Sequence, residues 1–332
     1  MLPELFLQEL GVLLVSSVMI ICGILSSRDL IRPALNKIFS ITRCPKVSLF
    51  LSLITLGCLP IHGRLISVSP LISPLTQDKR GKEKLGILSY LCTHHFYLWS
   101  PLEKSVLIVL GFFGIGLAKF LSLMIVPLIV TLLFILGVFF YYVKDMEFSL
   151  DLAPVPKRGF TELLILGFVI SVCFLRLWPG YDLVISLFLY CLYLIFRYKV
   201  GWREVLSYLK PTPILVLALS VFLGWYLGAY EPLLQAKLSH LASPYAVSAL
   251  VFFGSLLLGS SAKYSGLTVM ATSILGIQYL PLLYVSGFCG YLLSPAHQCV
   301  ALGKMYFGTT YREYYSVLTA LSLLLMASVL FF

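Results

Sequence analysis

Tyr291-Leu292-Leu293-Ser294-Pro295 lies inside a long apolar segment, and the first half of the chain answers it with Tyr97-Leu98-Trp99-Ser100-Pro101. Each stretch is preceded by another interrupted apolar segment. A Ser-Pro in the middle of a would-be membrane span breaks the helix and frees backbone polar groups. Lipid cannot satisfy those groups, so such breaks survive only where they pack in protein or line a wet cavity. Paired broken helices in corresponding halves point to the central binding site of a transporter.

Composition supports this setting. The chain has 332 residues, 60% hydrophobic and 11% charged, with a mean hydropathy of +0.98, too apolar for a soluble domain. Runs at 5–25, 120–143, 159–178, 183–196, 213–230 and 315–332 have roughly the 17–25 residues that span a bilayer. The opening Met1-Leu2-Pro3-Glu4 lacks the cationic region of a cleavable signal, so the first run is expected to stay as a helix. The cysteines, Cys22, Cys44, Cys58, Cys92, Cys173, Cys191, Cys289 and Cys299, fall mostly inside apolar runs without zinc-type spacing. They read as small buried residues, and no metal or cofactor is expected.

The net charge of +10 is gathered in clusters: Arg28, Arg32, Lys37, Arg43 and Lys46; Lys79, Arg80, Lys82 and Lys84; Lys144, Lys157 and Arg158; Arg197, Lys199, Arg203 and Lys210. These are inter-helix loops obeying the positive-inside rule, not a nucleic-acid surface. With every basic loop cytoplasmic, both termini lie outside. Residues 47–75 then leave one basic loop and arrive at another, interrupted by Pro60-Ile61-His62-Gly63, and are too short for two crossings at about 1.5 Å per residue. They read as a re-entrant hairpin.

The same path makes 85–118 one helix broken at Ser100-Pro101, with 120–143 returning. A second hairpin, 246–277, is interrupted at Gly259-Ser260-Ser261-Ala262, and a second broken helix, 280–304, at Ser294-Pro295. The expected fold is an all-α polytopic membrane protein built as an inverted-topology repeat. The first unit is 1–143, linking helices occupy 144–210, and 211–332 is the second unit, ending in the helix 315–332. A reading of 85–118 as two short helices would reverse everything downstream.

Each Ser-Pro reads as the start of a half-helix, with Ser100 or Ser294 as N-cap and Pro101 or Pro295 in the first turn. Free N–H groups and the positive dipole end then face the interior, where an anion is favoured. A plain proline kink is the bland alternative. At the hairpin tips, His62-Gly63-Arg64 and Gly259-Ser260-Ser261-Ala262-Lys263 combine small residues with a following cation. Glycine admits a ligand to the backbone, and an intramembrane charge needs a partner. Arg64 and Lys263 are candidates to hold a carboxylate or phosphate. Snorkelling of Arg64, or pairing of Lys263 with Glu103, is the alternative. His94, Glu103 and His297 are candidates for proton coupling. Gly111-Phe112-Phe113-Gly114-Ile115-Gly116 follows no strand, so it reads as helix packing and not as a nucleotide loop.

At these residues the chain resembles a prokaryotic membrane family catalogued as domain of unknown function 401, grouped with the ion transporter superfamily. Gly290-Tyr291-Leu292-Leu293-Ser294-Pro295-Ala296-His297-Gln298-Cys299 resembles the family's Gly-x-Leu-Ser-Pro-x-His-x-Cys signature. Leu59-Pro60-Ile61-His62-Gly63 with Ser69-Pro70-Leu71 resembles its first hairpin, and Ser89-Tyr90 with His94 and Pro101-Leu102 the approach to its broken helix. Leu91, Cys92 and Thr93 stand where the family carries an Arg and further aromatics, and Arg64 where small residues are usual. The resemblance implies a scaffold domain and a moving transport domain, commonly in homodimers, that carry anions with sodium or protons by an elevator-like displacement.

The expectation is therefore a secondary transporter in the cytoplasmic membrane that moves a small anionic or polar solute by alternating access, driven by a proton or sodium gradient. It is not expected to be an enzyme. The rivals are a flippase for a polyprenyl-phosphate-type lipid and an intramembrane enzyme using His94, His95 and His297.

Overall fold

The computed structural model describes residues 30–42, 44–58, 76–101, 103–148, 183–209 and 243–330, with scattered positions between 13 and 28 and the single residues Ile72 and Gly167. Among the described residues every regular element is helical. The α-helices are α1 (Ile31–Thr42), α2 (Pro45–Cys58), α3 (Lys79–His94), α4 (Lys104–Phe113), α5 (Leu117–Val143), α6 (Leu183–Arg197), α7 (Trp202–Tyr208), α8 (Pro244–Leu258), α9 (Ser261–Leu275), α10 (Leu280–Leu293), α11 (Gln298–Phe307) and α12 (Tyr311–Val329). The second arm of the expected first hairpin, with His62, Gly63 and Arg64, lies outside the described residues, as does the expected helix 213–230.

Burial sorts these helices into a centre and a rim. Positions Leu85–His94 of α3 and Leu280–Leu292 of α10 are buried all round, which requires helices without a polar face. On α5 the buried residues Leu117, Phe120, Met124, Pro127, Thr131 and Ile135 recur every three or four positions, so one stripe faces the protein. The opposite face, with Ile129, Leu133 and Phe140, is exposed although apolar, as are Leu250 and Leu257 of α8 and Leu323 of α12. Helix α5, at 27 residues, is the one described helix long and apolar enough to cross a membrane unaided.

Close packing at the centre depends on missing side chains. A Cβ on Gly290 would run into the Phe252 carbonyl oxygen, and one on Gly287 would lie 3.1 Å from both Thr268 Oγ1 and the Tyr264 ring. These glycines are a turn apart on α10 and let α8 and α9 lie directly against it, as small residues do between membrane helices.

The two ends of the bundle differ. At one end the Lys46 ammonium donates to the Lys144 carbonyl at 3.3 Å, Lys84 to the Tyr142 carbonyl at 3.5 Å, and the Thr309 hydroxyl to the Glu83 carbonyl at 3.0 Å. The starts of α2, α3 and α12 and the end of α5 meet there, around a cavity of about 460 Å³ lined by Asp78, Arg80, Lys84, Lys144 and Glu313. Arg28, from the same basic cluster as Lys46, pairs with Glu204 of α7 at 2.9 Å. Tyr208 donates to the same carboxylate at 2.5 Å, and burial, then that bond, pushes its phenol up. At the opposite end Tyr245, starting α8, donates to the Leu330 carbonyl at 3.3 Å. Helix α3 thus begins at the end of the bundle where α5 finishes.

From the end marked by Tyr245, α8 runs inward, turns at Gly259 with φ +55° and returns as α9, which packs along it. This is a helical hairpin with both arms at one end. The stretch Gly111–Gly116 corrects its expected reading as helix packing. Gly114, at φ +59°, ends α4 in the left-handed conformation and Gly116 caps α5, so the glycines serve a chain reversal. The expected broken segment 85–118 accordingly stops at Phe113.

Gly290→Ala should destabilise the detergent-purified protein by the roughly 1–3 kcal/mol that overpacking costs, read as a lower melting temperature. Gly137→Ala, on α5 with open space around it, should leave the melt unchanged or raise it slightly. Equal melting curves for the two variants would contradict this account of α8–α10 packing.

Candidate functional site

At each Ser-Pro the backbone makes the same turn. The Glu103 N–H donates to the Ser100 carbonyl at 2.9 Å, and the His297 N–H to the Ser294 carbonyl at 3.1 Å. Proline therefore stands second in a β-turn, which its locked φ favours. The next helix starts one residue beyond, capped by Glu103 (φ −86°, ψ 126°) for α4 and by His297 (φ −75°, ψ 106°) for α11. The expected capping roles of Ser100 and Ser294 are corrected accordingly. Ser294 instead ends α10, and its Oγ accepts from the Ala296 N–H at 3.2 Å.

The two breaks meet side by side. Tyr90 and His94, one turn apart on α3, stack with ring centroids 3.9 Å apart, and across the interface the Tyr90 hydroxyl lies 2.8 Å from His297 Nδ1. His94 Nε2 and His297 Nε2 are 3.2 Å apart. Tyr291 stacks on His297 at 4.2 Å and donates to the Tyr97 hydroxyl at 3.2 Å. Tyr284 donates to the Tyr97 carbonyl at 2.5 Å, a group freed where α3 stops, and lies 3.1 Å from Ser105 Oγ and 3.3 Å from the Tyr264 hydroxyl. The result is a buried polar seam of phenols and imidazoles between the first and second halves.

The expected site residues distribute unevenly around this seam. His94, Ser294 and His297 belong to it, all buried. Gly259 at the hairpin tip faces the second break so closely that a Cβ there would lie 2.8 Å from both Ser294 Oγ and Ala296 Cβ. Ser260 caps α9, and Ser261 begins it, buried. Ser100 and Pro101 are buried in the first break, whereas Pro295 and Lys263 are exposed. His95 turns away, its Nδ1 2.9 Å from the Cys92 carbonyl and its ring against Phe96, so the three histidines do not converge.

One expected residue, the proton-coupling candidate Glu103, takes further roles, and one set of residues went unread in the sequence. Glu103 is buried close to the Tyr264 and Tyr284 hydroxyls, and it caps α4. The first half-helix thus meets a carboxyl of its own chain, and the N-termini turned toward the hairpin tip are those of α9 and α11. The phenols Tyr90, Tyr97, Tyr264, Tyr284 and Tyr291 were not assigned to the site. The available signals were the Tyr90/His94 pair at helical spacing and the tyrosine within both break motifs.

Cys299, in the first turn of α11, brings its sulfur within 4.8 Å of the ligand nitrogens of His94 and His297. The expectation of no metal-binding group rested on sequence spacing, and this set draws on both halves of the chain. Its donors are of the kind that hold transition metals.

Comparison with known proteins bears on the chain as a whole. No curated protein matches it. The model of the family described as "Protein of unknown function (DUF401)" matches residues 12–332, nearly the full length and including both breaks and the seam between them. The chain belongs to the DUF401 family.

Proposed function

We propose that the protein is a secondary transporter of the cytoplasmic membrane, moving a small anionic or polar solute by alternating access. The observation that carries this reading is the meeting of two like helix breaks and a hairpin tip at one buried polar seam. Interrupted helices that turn their ends toward a shared interior site are the form taken by transporter binding sites. The N-termini of α9 and α11 and the seryl groups at Ser260, Ser261 and Ser294 offer donors to an anion. His297 and His94 exchange protons within the seam, and a proton or sodium gradient supplies the energy.

The membrane setting is supported by the exposed apolar faces of α5, α8 and α12 and by the basic end of the bundle, which we assign to the cytoplasm. From Lys84 at that end to His94 is ten residues of α3, or about 15 Å, close to half the hydrocarbon thickness of about 30 Å. Helices α8 and α9, of 15 residues each, extend about 22 Å, shorter than the bilayer core. That favours a hairpin entering from outside and returning. The order hairpin, broken helix, helix in α8–α12 supports the inverted repeat, with both termini outside and a homodimer as the working unit.

One observation favours a second reading. A cavity of about 300 Å³, lined by Phe252, Phe253, Leu293, Thr319, Leu323 and Met326, lies beside the second break and is suited to an acyl or prenyl chain. Flipping of a polyprenyl-phosphate-type lipid would use it.

Reconstituted in proteoliposomes, the protein should take up at least one small anion from a panel when a pH or sodium gradient is imposed. His297→Ala should abolish uptake without loss of folded protein, and full activity in that variant would remove this site assignment. Lipid translocation without solute uptake would favour the flippase. Single cysteines placed at 80 and 145 should be labelled from the same face of the membrane, opposite to one at 245. Labelling of 80 and 145 from different faces would overturn the topology.

A further inference from the structure

We propose that His94, His297 and Cys299 bind a transition-metal cation of the Zn²⁺ class where the two broken helices cross. A zinc ion held by imidazole at about 2.0–2.1 Å in tetrahedral geometry sets its ligand nitrogens roughly 3.3 Å apart. The two Nε2 atoms are 3.2 Å apart, so they already stand at the separation of two ligands on one ion. Cys299 Sγ lies within 4.8 Å of both. It sits on the first turn of α11, and closing by about an ångström brings it to the sulfur position that a Zn–S bond of about 2.3 Å requires.

The far sides of both rings are arranged as metal-bound histidines are. His94 Nδ1 is 2.8 Å from the Tyr90 carbonyl oxygen, which can only accept. Nδ1 therefore carries the proton of the neutral ring, and Nε2 presents its lone pair. His297 Nδ1 is 2.8 Å from the Tyr90 hydroxyl, which itself donates toward the Leu292 carbonyl at 3.4 Å. With that phenolic proton on Leu292, His297 also holds its proton at Nδ1, and two lone pairs face each other. A cation between them resolves the repulsion, and one residue, Tyr90, orients both ligands. Such outer partners set the tautomer and basicity of ligating histidines.

Two imidazoles and a thiolate prefer zinc, cobalt, nickel or copper ions to magnesium or calcium. On binding a dication, the Cys299 thiol gives its proton to solvent and forms the metal–sulfur bond, leaving the centre with a net charge of +1. A fourth position stays open to water or an anion. The competing arrangement needs no metal. Tyr90 then donates to His297 Nδ1, and His297 Nε2–H donates to His94 Nε2. The proposal does not depend on the transport reading, because it concerns binding to the resting protein.

The test is titration of the detergent-purified full chain with Co²⁺. We expect one ion per chain, visible bands of a tetrahedral centre, a near-ultraviolet thiolate-to-cobalt charge-transfer band, and displacement of all of them by Zn²⁺. Cys299→Ser should abolish the charge-transfer band, His94→Gln should abolish stoichiometric binding, and Tyr90→Phe should weaken binding on the order of tenfold or more. Zn²⁺ should raise the melting temperature of the parent protein and not that of Cys299→Ser, which separates loss of a ligand from misfolding. Absence of stoichiometric Co²⁺ and Zn²⁺ binding overturns the proposal and leaves the hydrogen-bonded histidine pair. A charge-transfer band that survives Cys299→Ser also overturns it, by locating the metal at another thiol such as the exposed Cys44.

Discussion

Backbone groups released where α3 and α10 stop must be satisfied inside apolar protein, and the rest of the structure is arranged around that need. An unpaired amide or carbonyl in such surroundings costs several kcal/mol. Each break answers part of the demand with its own β-turn, Ser100 to Glu103 and Ser294 to His297. What remains is met across the interface between halves. The Tyr97 carbonyl takes a hydrogen bond from Tyr284, and the Leu292 carbonyl one from Tyr90. Phenols suit this task because the ring fills apolar space while the hydroxyl reaches a polar partner. The same tyrosines that complete the backbone of one half therefore fix its position against the other.

Charge distribution adds a direction to this arrangement. Lys46 and Lys84 end on carbonyls at one end of the bundle, the Lys144 ammonium lies 4.0 Å from the Asp145 carboxylate, and Glu313 lines the cavity there. Between that end and the Tyr245–Leu330 contact, the seam carries imidazole and phenol groups and, among the described residues, one buried carboxyl at Glu103. A site with so few fixed charges does not itself dictate the sign of its ligand. Oriented helix ends, bound protons and a bound metal each change that balance, which is why the cation content of the seam matters to its function.

How far the sequence discloses this depends on the range of the interaction. The breaks are legible because a Ser-Pro within an apolar run is a local event, and Gly259 is legible because a left-handed turn calls for glycine. Lys46, Lys84 and Lys144, drawn from three separate basic clusters, share one end of the bundle. The offset of the helix starts to Glu103 and His297 was missed. Proline satisfies the first helical turn and the second position of a β-turn equally well, and only the observed Ser100–Glu103 and Ser294–His297 bonds decide between them. The Tyr–His seam was missed for a different reason. Tyr90, Tyr264 and Tyr291 are each ordinary residues of apolar helices, and what makes them a site is which element lies opposite, a fact set by long-range packing such as that of α9 on the glycine face of α10. The His94–His297–Cys299 set fails every spacing rule because its members are 203 positions apart between the two histidines.

The seam also constrains how the protein can move on the proposed reading. Bonds between the halves are short and numerous at the breaks: Tyr90 to His297 at 2.8 Å, Tyr284 to Tyr97 at 2.5 Å and to Ser105 at 3.1 Å. Contacts from α10 to α12 are longer and weaker, with the Cys289 thiol 3.7 Å from the Ser322 carbonyl and Ser286 3.5 Å from the Met326 sulfur. Contact from α10 to α5 includes a ring edge, Phe120 on Tyr284 at 5.5 Å. Displacement along the weaker surfaces leaves the seam closed, whereas separating α3 from α10 would expose several buried polar groups at once. If the protein is the alternating-access transporter we propose, the block that would slide is α3, α4 and α8–α11 against α5 and α12, with the Gly259 tip riding on the Ser294 break. A metal at His94, His297 and Cys299 would tighten that block and leave its sliding surface untouched.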